Sequence, residues 1–284
     1  GTDVGGYQGE GYIPQDLYLR WLQAGSMAGL FEIKLDGAGG EGRDRMPWSY
    51  DEAFQKNFRA VLEERMRLIP YLYSLSRTSG STGTLMQPLA YRHLADRNTY
   101  DIWDEFYLGD AILVAPMFGP GTTRQVNLPE GEWYDYEDPA QSHEGGKVIR
   151  VEAPLDKVSR FVKQNSLYVT GNLYRGNDRL WSTTEPELVV HAVPGRGDSM
   201  STLVYADLLD HGTTKSMQLR RIGKRLHFTS PALSCRALIQ VRLATAPKNV
   251  SFGGAPAQFD YDAAKMLLSV RVPAHRLTDL AIDL

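Results

Sequence analysis

Apolar positions in this chain change period twice, and each change marks a change of architecture. Residues 2–4, Thr2-Asp3-Val4, read as the end of a strand, because Gly5 and Gly6 follow at once and let the backbone turn. After Pro14 the spacing of Leu17, Tyr18, Trp21, Leu22 and Gly25 predicts a helix over residues 15–27 with one apolar face, ended by Gly29. Residues 30–35 alternate and predict a strand, closed by Asp36 and a glycine-rich loop at 37–42. Ser49-Tyr50-Asp51-Glu52 fits a capping box, in which Ser49 serves the Glu52 N–H. Phe54, Phe58, Val61, Leu62, Met66 and Ile69 then predict a helix to about residue 69, with a shorter continuation to 76 after Pro70 and a Ser/Thr/Gly linker at 78–83.

From residue 85 the period becomes two. Strands are predicted at 111–117, 125–128, 133–136, 148–151 and 160–169, the first a continuous apolar run suited to burial on both faces. Beyond residues 172–178 come further strands at 187–193, 201–205, 216–222, 225–229, 237–245, 249–252 and 266–272. Frequent turns between short strands point to β-sandwiches. Trp133, Tyr134 and Tyr136, at strand spacing, read as core and hairpin residues, and Arg220, Arg221, Lys224 and Arg225 as a solvated hairpin. The fold class expected is therefore α/β plus all-β: a strand–helix–strand unit of an α/β sheet or barrel with a following helix over residues 1–82, a proximal β-sandwich over 83–177 and a distal one over 178–284.

Composition narrows the partners. Lys and Arg total 31 against 34 Asp and Glu, and a net charge of −3 provides no general attraction to nucleic acid or an anionic membrane. No run of about 18 apolar residues exists to make a spanning helix. The single Cys235 leaves no internal disulfide framework and leaves the compartment open. The six histidines are scattered without metal-ligand spacing, and no cofactor or metal is invoked. In a barrel, ligands bind at the C-terminal ends of the strands, which would gather Asp3, Lys34, Asp36 and the loop running to Trp48. Arg45, in R-x-x-W, is expected to order that loop, while Trp48 is either a wall of the pocket or an anchor for the helix that follows.

The motifs D-V-G-G-Y at 3–7, L-Y-L-R-W-L-Q-A-G at 17–25, M-P-W at 46–48, R-L-I-P-Y-L-Y-S-L at 67–75, P-L-A-Y at 88–91, L-G-D-A-I-L-V-A-P at 108–116 and V-N-L-P-E-G-E-W-Y-D at 126–135 occur in this order. Together they resemble the retaining α-glucosidases and α-xylosidases of glycoside hydrolase family 31, over residues 1 to about 171. The resemblance implies that residues 1–82 are the last two β/α units of a (β/α)8 barrel, and it implies a carbohydrate substrate and a double displacement by two carboxylates. In the family those carboxylates lie upstream of the D-[IV]-G-G-[FY] turn, so the remaining N-terminal portion of the barrel is the expected partner and this chain alone is expected to be inactive. Asp3 matches the aspartate that contacts sugar hydroxyls in the subsite of the non-reducing residue. Lys34 stands where many members carry a sugar-binding histidine, which alters the hydroxyl pattern recognised. At 205–212 the acidic turn usual in the family is replaced by Y-A-D-L-L-D-H-G. Hydrolysis and transglycosylation are not separable on these residues, and a non-catalytic carbohydrate-binding or accessory subunit is the alternative of a different class. With the rest of a barrel absent, Trp21, Leu22, Phe54, Phe58 and Leu62 are expected to form an exposed apolar surface.

Overall fold

The computed structural model describes residues 1–7, 11–34, 45–82, 84–173 and 185–284. Asp36, the glycine-rich loop at 37–42 and the inter-sandwich stretch at 174–178 lie outside them. Strand β1 (Thr2–Val4), helix α1 (Gln15–Ser26) and strand β2 (Phe31–Ile33) form the expected unit, and β1 and β2 pair in parallel with Asp3 opposite Glu32. The helix lies directly on β1. A Cβ on Gly25 would meet Val4 Cγ2 at 2.7 Å and Thr2 Cγ2 at 3.2 Å, so only glycine permits this approach.

Helix α1 buries two faces where the spacing predicts one. Tyr18, Leu19 and Leu22 pack with Val4, Phe54, Phe58 and Val61 in a core of their own. On the other side Arg20 and Gln23 are buried against the proximal sandwich. Arg20 donates to the carbonyls of Gly121 and Pro154, each at 2.9 Å, and to that of Ala153, while Gln23 Nε2 donates to Pro154 O and Lys157 O, each at 3.0 Å. Leu17, predicted on the apolar face, is consequently 49% exposed. The expected exposed apolar surface is also not found: Leu22, Phe54 and Phe58 are buried and Trp21 and Leu62 partly so, because α1 closes on the helix that follows through Tyr18, Tyr50, Phe54 and Phe58 rings 4.3–5.7 Å apart.

Helix α2 (Glu52–Thr82) is one 31-residue helix, about 46 Å long at 1.5 Å per residue. Its cap is Asp51, which accepts the Phe54 N–H at 2.8 Å; Ser49 instead closes a 3-10 turn, Pro47–Ser49, so the capping box lies out of register. The helix also runs straight through Pro70 and through residues 78–82, which composition reads as linker. Leu68, Tyr71 and Leu72 around the proline are buried against the sandwiches, and that burial outweighs the ~3 kcal/mol local cost of a mid-helix proline. Ser74 Oγ donates to Pro70 O at 2.7 Å and accepts the Ala206 N–H at 2.9 Å, joining the helix to the distal layer.

Behind the helices stand two all-β layers. The proximal sheet runs in the order Met86–Pro88, Phe106–Leu108, Ile112–Ala115, Ser159–Lys163, Glu132–Asp135, Ser142–Glu144, antiparallel throughout. A ribbon of Thr123–Leu128 and Lys147–Glu152 covers one face, enclosing Tyr107, Leu113, Val126, Trp133 and Phe161. Trp133 and Tyr134 are buried, as core residues. The distal sandwich has a five-stranded and a six-stranded sheet; the latter includes Thr278–Asp283, a strand absent from the sequence reading although Leu280 and Ile282 are fully buried. The strand predicted at 160–169 is two. Asn165, at φ 55°, turns the chain, and Ser166–Gly171 then pairs with Glu187–Val193. Sheet membership thus changes between Lys163 and Ser166, ahead of the expected boundary at 177.

Two outcomes follow. Arg20→Ala leaves several buried carbonyls without a donor and is expected to destabilise the chain by on the order of 3 kcal/mol; an unchanged urea midpoint would show that the helix-to-sandwich contact carries no stability. His191 stacks on Tyr168 (4.4 Å, 9°), its Nε2 lies 2.9 Å from Thr170 Oγ1, and desolvation pushes its pKa down from 6.5 to about 3. Above pH 6.5 it is neutral in both folded and unfolded states. As pH falls from 6.5 towards 3, the unfolded chain takes up a proton that the fold refuses, so stability drops by up to ~1.4 kcal/mol per pH unit. His191→Phe should flatten the pH dependence of the urea midpoint in this window, and an identical slope would remove His191 as its cause.

Candidate functional site

The turn after β1 is built by two glycines with positive φ. Gly5 (89°) and Gly6 (72°) carry the chain so that the Gly6 N–H reaches Asp3 O at 2.8 Å. A Cβ on Gly5 would stand 2.8 Å from Lys34 O, so bulk is excluded where the two strand ends meet. The ladder extends one step past β2, with the Lys34 N–H on Val4 O at 2.8 Å. Trp21 Nε1 holds Thr2 Oγ1 at 2.6 Å and the Arg45 guanidinium donates to Gly6 O. Arg45 is buried, and its own carbonyl accepts from Tyr18 Oη at 2.9 Å, so it orders the turn from the loop side.

On this frame Asp3 and Lys34 come together, with Lys34 Nζ 3.9 Å from Asp3 Oδ1 and 3.1 Å from Glu32 Oε1. Glu32 is the member that sequence reasoning missed. Its signal was the parallel register: residues opposite one another in paired parallel strands share a face, and Asp3 stands opposite Glu32. The hydrogen bond between the two carboxyl groups holds the Asp3 pKa above the usual carboxylate range, against the pull of Lys34, and holds that of Glu32 below it. The set is about one-third to one-half exposed at its side chains and offers acceptors and one ammonium donor within a few ångströms, the means to bind vicinal hydroxyls.

Trp48 is placed elsewhere. It is 69% exposed and lines a cleft of about 820 Å3 with Phe58, Leu62, Met66 and Asn172, and neither Asp3 nor Lys34 belongs to that lining. Asp36 lies outside the described residues.

Comparison with known proteins bears on all three layers. Residues 1–75 match the model of the glycosyl hydrolases family 31 TIM-barrel domain, and residues 82–167 that of the glycosyl hydrolase family 31 C-terminal domain. The chain is 31% identical over 209 residues to alpha-glucosidase 2 of Bacillus thermoamyloliquefaciens, covering 73% of this chain and 25% of that protein. It is 30% identical over 174 residues to the isomaltosyltransferase of Sporosarcina globispora, covering 58% and 16%. It thus spans a quarter or less of the length of these two relatives. The fold is that of the cycloalternan-forming enzyme from Listeria monocytogenes, with a TM-score of 0.86 at 23% identity over 99% of this chain and 29% of that one.

The carboxyl pair yields a direct expectation. Glu32→Gln removes the like charge beside Asp3 and leaves an amide able to donate to it, so the Asp3 pKa should fall. Carbon-detected NMR titration of the Asp3 carboxyl measures this, and an unmoved or raised pKa would dissolve the coupling.

Proposed function

Because the chain belongs to glycoside hydrolase family 31, we propose that it supplies the last two β/α units and the C-terminal β-sandwiches of a retaining, α-glucosidase-like enzyme acting on α-linked glucosides or oligosaccharides. The observation that carries this reading is the Asp3, Glu32 and Lys34 cluster at the C-terminal ends of parallel β1 and β2, beside a turn of two glycines. Ionised Asp3 accepts short, charge-assisted hydrogen bonds from adjacent sugar hydroxyls, and Lys34 donates to a neighbouring oxygen and holds both carboxyl groups. Arg45 is assigned to ordering the glycine turn beside Asp3, and Asp36 is kept as a further proposed substrate acceptor; Trp48, in a cleft that neither Asp3 nor Lys34 lines, is given no contact to the same sugar.

Turnover on this reading is double displacement. One carboxylate attacks the anomeric carbon while a carboxylic acid protonates the leaving oxygen, through an oxocarbenium-like transition state to a covalent glycosyl intermediate; the carboxylate left by that acid then takes the proton of the incoming hydroxyl, which displaces the first carboxylate. Asp3 and Glu32 are both taken up with Lys34 and are assigned to holding the sugar, not to the reacting pair. The reacting carboxylates are therefore assigned to the part of the family's barrel that this chain does not span. Identity to an isomaltosyltransferase favours a second reading for the last step, in which a sugar hydroxyl rather than water resolves the intermediate.

In the full-length enzyme Asp3→Ala is expected to lower kcat/KM about 100-fold, and Lys34→His to reorder the ranking of α-glycosides. Unchanged kinetics of both variants across a panel of aryl glycosides would remove these residues from the site. Product analysis at high sugar concentration separates hydrolysis from transfer, and the 284-residue chain assayed alone should release no aglycone above background.

A further inference from the structure

The hairpin that composition reads as solvated is one wall of a basic cleft. Arg221 and Lys224 meet Arg196, Arg242 and Lys248 around about 590 Å3 between the proximal and distal sandwiches. These five cations come from four separate places in the distal layer: the loop after Glu187–Val193, the hairpin between Thr213–Ile222 and Arg225–Ser230, the end of Arg236–Arg242, and the residue before Asn249–Phe252. Glu132 is the one acidic side chain in the lining, so the cleft concentrates positive charge in a chain whose formal net charge is −3.

Four of these five cations have no carboxylate side chain as a partner among the described residues, and Arg196 is the exception. Glu132 is occupied by Arg196 in a two-pronged contact at 2.9 and 3.0 Å, and its pKa is held low first by that contact. Arg221 is fixed through Gly195 O at 2.6 Å and Gly223 O at 3.2 Å, and Arg242 through Pro139 O at 2.8 Å and the face of Tyr134, 3.8 Å from the ring centroid. Those partners, with the Met266 sulfur 3.8 Å from Arg242 Nη2, are uncharged and orient a guanidinium while leaving its charge unpaired. Lys248 reaches Leu284 O at 2.8 Å. The Lys224 ammonium has no partner among the described residues. Of the carboxylates flanking the hairpin, Asp198 accepts the Gly223 N–H and Asp283 pairs with Arg225.

We propose that this cleft binds a small polyvalent oxyanion, a phosphate or sulfate group, held by Arg221 and Arg242 in their fixed orientations and by the free Lys224. Preoriented guanidinium groups match the paired oxygens of such an anion, and repulsion among unpaired cations is relieved when it binds. The oxyanion is either free or carried by a sugar. The site is separate from the Asp3 cluster and does not depend on the function proposed for it.

Isothermal titration of the full 284-residue chain at low ionic strength tests the assignment, with inorganic phosphate, sulfate and glucose 6-phosphate as probes and glucose as the uncharged control. Saturable binding of the oxyanions but not glucose is expected, weakening as sodium chloride is added. Lys224→Ala and Arg221→Ala should each weaken it about tenfold, while Lys147→Ala, which removes a lysine paired with Glu144 outside the cleft, should leave it unchanged. Tighter binding of glucose 6-phosphate than of phosphate assigns the site to a sugar phosphate, and equal binding assigns it to the oxyanion alone; both support the proposal. Should Arg221→Ala not fold, Lys224→Ala remains decisive, since its side chain makes no bond to lose. Absence of saturable binding, or wild-type affinity in Lys224→Ala, overturns the proposal.

Discussion

The layers of this molecule meet at one buried ion pair. Glu64 on α2 and Arg160 on the proximal sheet lie 2.7 Å apart, and the Arg160 side chain is 1% exposed. Tyr136 Oη shares Glu64 Oε1 at 2.9 Å, Glu137 takes the other end of the guanidinium, and the guanidinium carbon stands 3.7 Å from the Tyr136 ring centroid. Tyr136 in turn packs on Tyr168 of the distal sheet. Two charges taken out of water repay their desolvation only when every remaining donor and acceptor is well placed, and losing one partner of such a pair typically costs about 3–5 kcal/mol. The arrangement therefore specifies how helix and sheets are set against each other more than it adds net stability. Burial alone would lower the Arg160 pKa, yet the charge of its neighbours outweighs it and holds the group ionised.

Helix α2 extends that constraint to both ends of the molecule. Its first half closes the small aromatic core over β1, and its second half, beyond Pro70, docks on the distal sandwich through Ser74, while Tyr71 Oη donates to Leu108 O at 3.2 Å in the proximal sheet. The two short parallel strands that hold Asp3, Glu32 and Lys34 could not be stable alone; an isolated strand pair in water is marginal at best. They are held because α1 is anchored on its polar side to the proximal sandwich by Arg20 and Gln23 and on its apolar side to α2. The sandwiches thus act as the fixed support of the strand ends, though they lie far along the chain from Asp3, Glu32 and Lys34.

The cluster itself is tuned by neighbours rather than by burial. A lone aspartate at a strand end would be ionised throughout the neutral range, whereas one sharing a hydrogen bond with Glu32 is poised closer to protonation, with Lys34 opposing that shift. Lysine in this place donates only, so the acceptor capacity of the site rests on the two carboxyl groups.

Local information was enough for most elements. The parallel strand pair with its intervening helix, the glycine turn after Asp3, the doubly buried strand Ile112–Ala115 and most of the longer distal strands follow from periodicity and turn residues, because each records a property of a few consecutive residues. Where the sequence reading departs from the structure, the decision belonged to something distant in the chain. Leu17 is exposed because the second face of α1 is filled by Arg20 and Gln23 against carbonyls more than a hundred residues away. Pro70 does not end its helix, because burial of Leu68, Tyr71 and Leu72 exceeds a local penalty. Asn165 moves the chain to another sheet, which alternation cannot record since both halves alternate alike. Glu32 joins the cluster by strand register, and Arg221 and Lys224 become part of a cleft by the packing of two sandwiches. By itself the sequence determined which segments are helix or strand and which family they belong to; only the tertiary structure decided which faces are covered and which charges meet, since both depend on partners that no local pattern names.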